Sequence, residues 1–263
     1  MEHLDTFLLF LAVGLLAQLV DGALGMAYGV ISSSVLLAFG VPPATASASV
    51  HGAEVFTTAA SATSHVAHRN VVWRLLVPLA LAGVVGGVLG AYVLTGIDGD
   101  MIKPFIIGYL SLIGLYILWR AGHDVKPRRI RPAWAMAPLG VIGGFFDAIG
   151  GGGWGPTVSS TMVAAGQDPR RAIGTVNTAE FFLTAAISAT FVWALVTGYW
   201  EEAGALENHA TAVGGLVVGG LIAAPFAGLI VKRVPRRVLS YAVGGLLIFL
   251  AGFQGAQLAG WFG

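Results

Sequence analysis

Apolar residues run along the chain in stretches at 6–20, 24–39, 44–66, 73–95, 101–119, 133–149, 154–166, 171–197, 209–231 and 237–260, divided by charges or by Gly/Pro clusters. None shows the period-2 alternation of a lipid-facing strand, so each is predicted to be a helix and a transmembrane barrel is excluded. Most approach or exceed the ~20 apolar residues that a membrane crossing needs. The pattern predicts an all-α integral membrane protein. Four segments are shorter: 6–20 and 24–39, then 133–146 and 154–166. At ~1.5 Å per residue they cover about 20–24 Å of a hydrocarbon core about 30 Å thick. Each short pair is read as a helical hairpin, re-entrant or fully spanning, joined by Asp21-Gly22-Ala23 or by the run from Asp147 to Gly153. Backbone that leaves a helix at membrane depth must be buried in protein or line a wet cavity. The two tips are therefore expected to face each other.

The chain also matches itself at an offset of 126 residues. Residues 21–64 overlay 147–190 without a gap, and 16 of those 44 positions are identical. Among the matches are Asp21/Asp147, Gly25/Gly151, Gly29/Gly155, Ser33/Ser159, Pro43/Pro169, Glu54/Glu180 and Thr58/Thr184. Composition bias toward Ala and Gly does not produce matched Asp, Glu and Pro, so a unit has been duplicated. The first repeat is predicted over 1–120, with the hairpin 6–39 followed by helices 44–66, 73–95 and 101–119. The second is predicted over 133–263, with the hairpin 133–166 followed by helices 171–197, 209–231 and 237–260. Residues 121–132 form the basic linker.

Charge orients the two halves. Of the 14 Lys and Arg residues, 13 fall in four clusters: Arg69 and Arg74; Arg120 to Arg131; Arg170 and Arg171; and Lys232 to Arg237. Placed on the cytoplasmic side, these loops leave the acidic ones (Asp98 and Asp100; Glu201, Glu202 and Glu207) outside, with both termini. Each basic loop then matches an acidic or charge-poor loop of the other half, so the repeats are expected to be inverted, as in many secondary transporters. The amino terminus is acidic, without the flanks of a cleaved leader, and the first segment is expected to be retained.

Composition narrows the function. Charged residues make up 10% of the chain, against about 25% in soluble domains. A net charge of +1 gives no footprint for nucleic acid. The absence of cysteine excludes disulfides and thiolate chemistry. No nucleophile or metal-ligand spacing stands out, so neither an enzyme nor a cofactor is expected.

What remains conspicuous is polar residues inside apolar segments. Asp21, Glu54, Asp147 and Glu180 each cost about 2.5–3.5 kcal/mol at a helix centre on the insertion scale. They read as coupling groups that take up a proton or a cation, or alternatively as capping and packing groups. His51, Glu54 and Thr58 share one helical face at i, i+3 and i+7, and Asn177, Glu180 and Thr184 are their counterparts. A buried His51 beside Glu54 reads as a proton-carrying pair or as a hydrogen-bonded structural group. The string Gly150 to Pro156 is neither a Walker loop nor a dinucleotide fingerprint. At the start of a half-helix, Gly151, Gly152, Gly153, Trp154 and Gly155 can present N–H groups to an anion, with Gly25 to Gly29 in the first repeat. Alternatively, these glycines let helices approach closely, the reading adopted for Gly83 to Gly87 and Gly215 to Gly219.

The tip Asp147-x-x-Gly150-Gly-Gly-Gly153, with Val50-x-Gly-x-Glu54 and Val176-x-Thr-x-Glu180 downstream and two inverted halves, resembles the TauE/SafE family of sulfite-exporter-like permeases over nearly the whole chain. The resemblance implies transport of a small sulfur-containing anion such as sulfite, sulfoacetate or thiosulfate across the bacterial cytoplasmic membrane. Repeat one departs from the glycine pattern at Leu24, Met26 and Ala27, which shifts anion binding toward the second hairpin. The expected mechanism is alternating access. Thr175, Asn177, Thr184, His51 and Thr58 add hydrogen bonds, and the four carboxyl groups are neutralised by protons, with sodium as the second choice. Export coupled to protons is the leading expectation. A cation transporter using the same carboxylates, and a non-transporting membrane scaffold, are the alternatives.

Overall fold

The computed structural model describes residues 2–123, 136–200, 210–224 and 235–261, and the regular structure among them is entirely helical. In chain order the helices are α1 (Glu2–Leu24), α2 (Tyr28–Ala38), α3 (Pro43–Ala67), α4 (Trp73–Thr95), α5 (Gly99–Gly122) and α6 (Ala137–Gly150). They continue with α7 (Ser160–Ala164), entered through one wide π turn at Gly155–Ser159, then α8 (Pro169–Thr197), α9 (Ala210–Ala223) and α10 (Arg236–Leu258). Most of the linker 121–132, the acidic loop with Glu201, Glu202 and Glu207, and residues 225–231 of the predicted segment 209–231 lie outside the described residues.

Local chemistry sets the ends. Asp98 caps α5 by accepting from the N–H groups of Asp100 and Met101, and Asp168 caps α8 by accepting from that of Arg171. Proline opens α3 and α8, where its missing N–H has no intrahelical partner to lose. Proline also falls in the wide turn at Gly155–Ser159, where Pro156 supplies no donor to the first hydrogen-bonded ring.

Five described helices carry windows apolar and long enough to cross a bilayer: α1, α4, α5, α8 and α10. Their outer faces are oily, with Phe105, Val196 and Phe249 at 75%, 79% and 69% exposure, as expected where lipid replaces water. The sequence expectation for α1 needs correction. Segment 6–20 reads as short, yet α1 has 23 residues and its window Leu4–Asp21 spans 18. Asp21-Gly22-Ala23 does not break the helix, and the chain turns only at Gly25 to Ala27. The returning arms are short. The 11 residues of α2 cover about 16 Å, half of what a crossing requires.

α3 and α8 pack against each other at the centre of the bundle, with α4, α6 and α9 around them. Thr58 and Thr184, residues exactly one offset apart in the duplicated pattern, meet at 3.4 Å between hydroxyl oxygens. The outer pairs are built on small residues. In α4 against α6, a Cβ at Gly86 would strike the Val141 backbone; in α1 against α9, one at Gly219 would strike that of Leu11. This is the close backbone approach that small-residue stripes permit in membranes.

Gly86→Val and Gly219→Val are expected to destabilise the detergent-purified protein by about 1–3 kcal/mol through overpacking. Gly108 and Gly245 have open space around the position of a Cβ, so Ala there is expected to leave stability unchanged or raise it by up to about 1 kcal/mol. Thermal melting of the four variants checks this; equal losses in both pairs would refute the packing assignment.

Candidate functional site

Each hairpin breaks its helix in the same way. Gly25 and Gly151 take φ of 67° and 65°, and two residues on Ala27 and Gly153 take 148° and 137°. Alanine in the first repeat thus holds a left-handed backbone that glycine holds in the second, a strain of about 1–3 kcal/mol that the surroundings must enforce. The carboxylates behave alike. Asp147 Oδ1 accepts from the Trp154 N–H at 2.7 Å, and Asp21 Oδ1 accepts from the Tyr28 N–H at 3.4 Å. Each aspartate therefore sits in the preceding helix and caps the half-helix that follows the break. These N–H groups are among those the sequence offers to an anion, and here a carboxylate occupies them.

The tips meet. A Cβ on Gly29 would lie 2.8 Å from both Glu54 Oε1 and the Gly152 Cα; one on Gly155 would lie 2.7 Å from the Met26 Cα. Gly152 and Met26 are matched positions, so the two contacts repeat each other across the Thr58–Thr184 crossing. Ser159 Oγ donates to the Gly25 carbonyl at 3.3 Å and adds a polar tie.

His51 does not pair with Glu54. Its partner comes from the other half: Nε2 lies 3.2 Å from Asp147 Oδ2, with both residues buried. On the other side of the ring, Nδ1 lies 2.8 Å from the Ser47 carbonyl oxygen. A carbonyl only accepts, so Nδ1 carries a proton. Ser47 Oγ donates to the Ala148 carbonyl, holding α3 against α6. One further proton must then lie between Nε2 and Oδ2, on an imidazolium facing a carboxylate or on an acid facing a neutral ring. The pair is thus a buried hydrogen bond between the two halves, and its aspartate also caps the second half-helix.

The counterparts on the other side differ. Asn177 replaces the histidine and donates through Nδ2 to Ser61 Oγ at 3.2 Å. With Asp21, Glu54, Glu180 and Gln18 it borders a cavity of about 10 Å³, room for roughly one water molecule. Thr58 also borders this cavity, and Thr184 meets Thr58 at the helix crossing without lining it. Thr175 stands apart from the tips, its hydroxyl accepting from the Val72 N–H at 2.9 Å.

Beyond the tips lies a larger cavity of about 240 Å³, floored by Met26 and Ser159 and bordered by Arg120, His123, Arg237 and Ser240. Arg120 reaches in from α5 and donates to the Ser160 carbonyl at 3.0 Å. Arg120 and Arg237 read from sequence as topology signals alone, and Gln18 gave no signal because its match, Gly144, is apolar.

Breaking the buried His51–Asp147 pair from one side leaves an uncompensated partner. His51→Asn and Asp147→Asn are each expected to destabilise, and the double variant by less than their sum. A double-mutant cycle on unfolding should give a coupling of about 1–3 kcal/mol; strict additivity would show that the pair is not coupled.

The sequence profile described as "Sulfite exporter TauE/SafE" matches residues 10–253. The chain is 43% identical over 249 residues to the probable membrane transporter protein YtnM of Bacillus subtilis (strain 168), covering 92% of this chain and 80% of that one. It is 28% identical over 155 residues to the probable membrane transporter protein ORF9 of Sinorhizobium sp, 58% of each. No solved structure matches. With a profile match over most of its length and two hairpins meeting tip to tip, the chain belongs to the TauE/SafE family of multi-pass membrane transporters.

Proposed function

We propose that this transporter moves a small sulfur-containing anion (sulfite, sulfoacetate or another organosulfonate, or thiosulfate) out across the bacterial cytoplasmic membrane by alternating access, coupled to protons. The two halves, 1–120 and 133–263, are taken as inverted repeats joined by the linker 121–132, with both termini outside. The observation that carries the reading is the 240 Å³ vestibule with Arg120 and Arg237 on its wall and the crossed hairpin tips at its floor. In the proposed topology this vestibule opens to the cytoplasm, where an exported anion loads. Two guanidinium groups and the serine hydroxyls complement sulfonate or sulfite oxygens.

The proton requirement follows from the capping carboxylate. Asp147 holds the Trp154 N–H at 2.7 Å, so an ionised Asp147 competes with the substrate anion for the half-helix N-terminus. A proton resting on Asp147, in the bond to His51, weakens that charge-assisted contact and leaves the N–H groups from Gly151 to Gly155 to the substrate. Release of the proton restores the cap and expels the anion. Thr58, Thr184 and Asn177, on the facing helices α3 and α8, supply hydrogen bonds along the path. A scaffold without transport is set aside, because the family and the matched relatives are described as transporters.

In proteoliposomes, radiolabelled sulfite or sulfoacetate flux is expected to be saturable and to accelerate under an imposed pH gradient. Arg120→Gln should lower it at least tenfold. Asp147→Asn, and Glu54→Gln combined with Glu180→Gln, should remove its response to the gradient. Flux indifferent to both the gradient and these variants would sink proton coupling, and absence of flux for every sulfur oxyanion tried would sink the substrate class.

A further inference from the structure

The 10 Å³ cavity between α1, α3 and α8 is rich in hydrogen-bond acceptors and short of donors. Gln18 Oε1, Glu54 Oε2 and Asn177 Oδ1 are buried without a hydrogen-bond partner, and all three residues line it. Their side chains are 5%, 4% and 4% exposed. Three hydroxyl groups on the wall spend their hydrogens elsewhere, while Ser61 Oγ accepts from Asn177 and keeps its own. Thr57 and Thr58 both donate to the Glu54 carbonyl, and Tyr28 donates to the Leu216 carbonyl. Asn177 turns its Nδ2 to Ser61, which leaves its carbonyl oxygen for the cavity. Asp21 and Glu180 complete the lining, and no Lys, Arg or His does. Each buried acceptor left without a partner costs about 1–3 kcal/mol, so three around one small void need an occupant that attracts them all.

We propose that this cavity binds one Na⁺ ion. A hard cation draws several oxygen ligands at once, whereas a proton serves one or two. Divalent cations are disfavoured because, although Asp21, Glu54 and Glu180 all border the cavity, no three Asp, Glu or His side chains among the described residues lie close enough together to hold a metal ion. The neutral oxygens of Gln18, Asn177 and the threonines, beside the carboxyl groups of Asp21, Glu54 and Glu180, suit a monovalent ion. The space holds a particle about the size of one water molecule, and among monovalent ions the smaller Na⁺ is attracted more strongly than K⁺ by close carboxylate oxygens. Glu54 links the ion to the tips, since its Oε1 lies against Gly29 where the second hairpin crosses. Binding itself stands apart from the substrate reading; a role for the ion in driving the anion rests on it.

Equilibrium binding of ²²Na⁺ to the detergent-purified full chain, at constant ionic strength with choline as the balancing cation, tests the site. Saturable binding is expected, displaced by unlabelled Na⁺ and at least tenfold less well by K⁺, Mg²⁺ or Ca²⁺. Gln18→Met and Asn177→Leu should each weaken it at least tenfold. Melting and gel filtration identify folded variants, and Na⁺-dependent thermal stabilisation of the unaltered chain gives a readout independent of them. No saturable binding, equal displacement by K⁺ or a divalent ion, or binding unchanged in the folded variants would overturn the proposal. Na⁺ binding without sulfur-anion flux would leave the site standing and defeat the transport reading; flux without Na⁺ binding would do the reverse.

Discussion

Where the two helix breaks meet, Gly29 lies against Gly152 and Gly155 against Met26, at distances that leave no space for a side chain on either glycine. The rest of the structure is arranged to allow that contact. A broken helix exposes N–H and C=O groups, and in hydrocarbon these must be satisfied by protein. Each break meets the demand locally by turning an aspartate from the preceding helix onto the N–H of the next. The crossing then seals the remaining backbone against its counterpart. Around it, α3 and α8 are polar on their inner faces because they never meet lipid there. That is why α3, which buries Thr45, Ser47, His51 and Glu54, does not qualify as an apolar span although its 25 residues are long enough. The oily surface is supplied by the outer helices, whose glycine stripes let them close around the centre.

Much of this was legible from one alignment of the chain with itself. The offset of 126 picked out Asp21/Asp147, Gly29/Gly155, Glu54/Glu180 and Thr58/Thr184, and all of these lie at or beside the tips and the helix crossing. Matched polar positions in a duplicated unit report a shared environment, and here that environment is the interface between the two copies. The misreadings have physical causes. Asp21-Gly22-Ala23 looks like a break because Asp and Gly punctuate helices in water, yet inside a bundle backbone hydrogen bonding carries α1 on to Leu24. His51 reads in the sequence as the partner of its helical neighbour Glu54 because i, i+3 is the nearest relation a sequence exposes. Its partner, Asp147, is 96 residues away and reached through the fold. Gln18 and Arg120 have no polar match at the offset, so periodicity could not distinguish them from a packing residue and a topology signal.

The duplicated unit is also asymmetric where its chemistry lies. Both halves keep an aspartate that caps a half-helix, but only one places an imidazole against it. His51 gives Asp147 a hydrogen-bonding neighbour from the other half, and the proposed proton coupling places its proton in that bond. Asn177, at the matched position, cannot carry a proton and presents a fixed oxygen instead. The two proposals thus fall on different chemistry: the proton on the His51–Asp147 bond, and the ion on the fixed acceptors around Asn177. The division matters because a buried carboxylate must be neutralised by something, and two neutralising agents of different chemistry can load independently. With asparagine in one half, the two proposals would link the crossing of the tips to two separate equilibria, with the contact at Gly29 and Gly155 as the backbone on which both act.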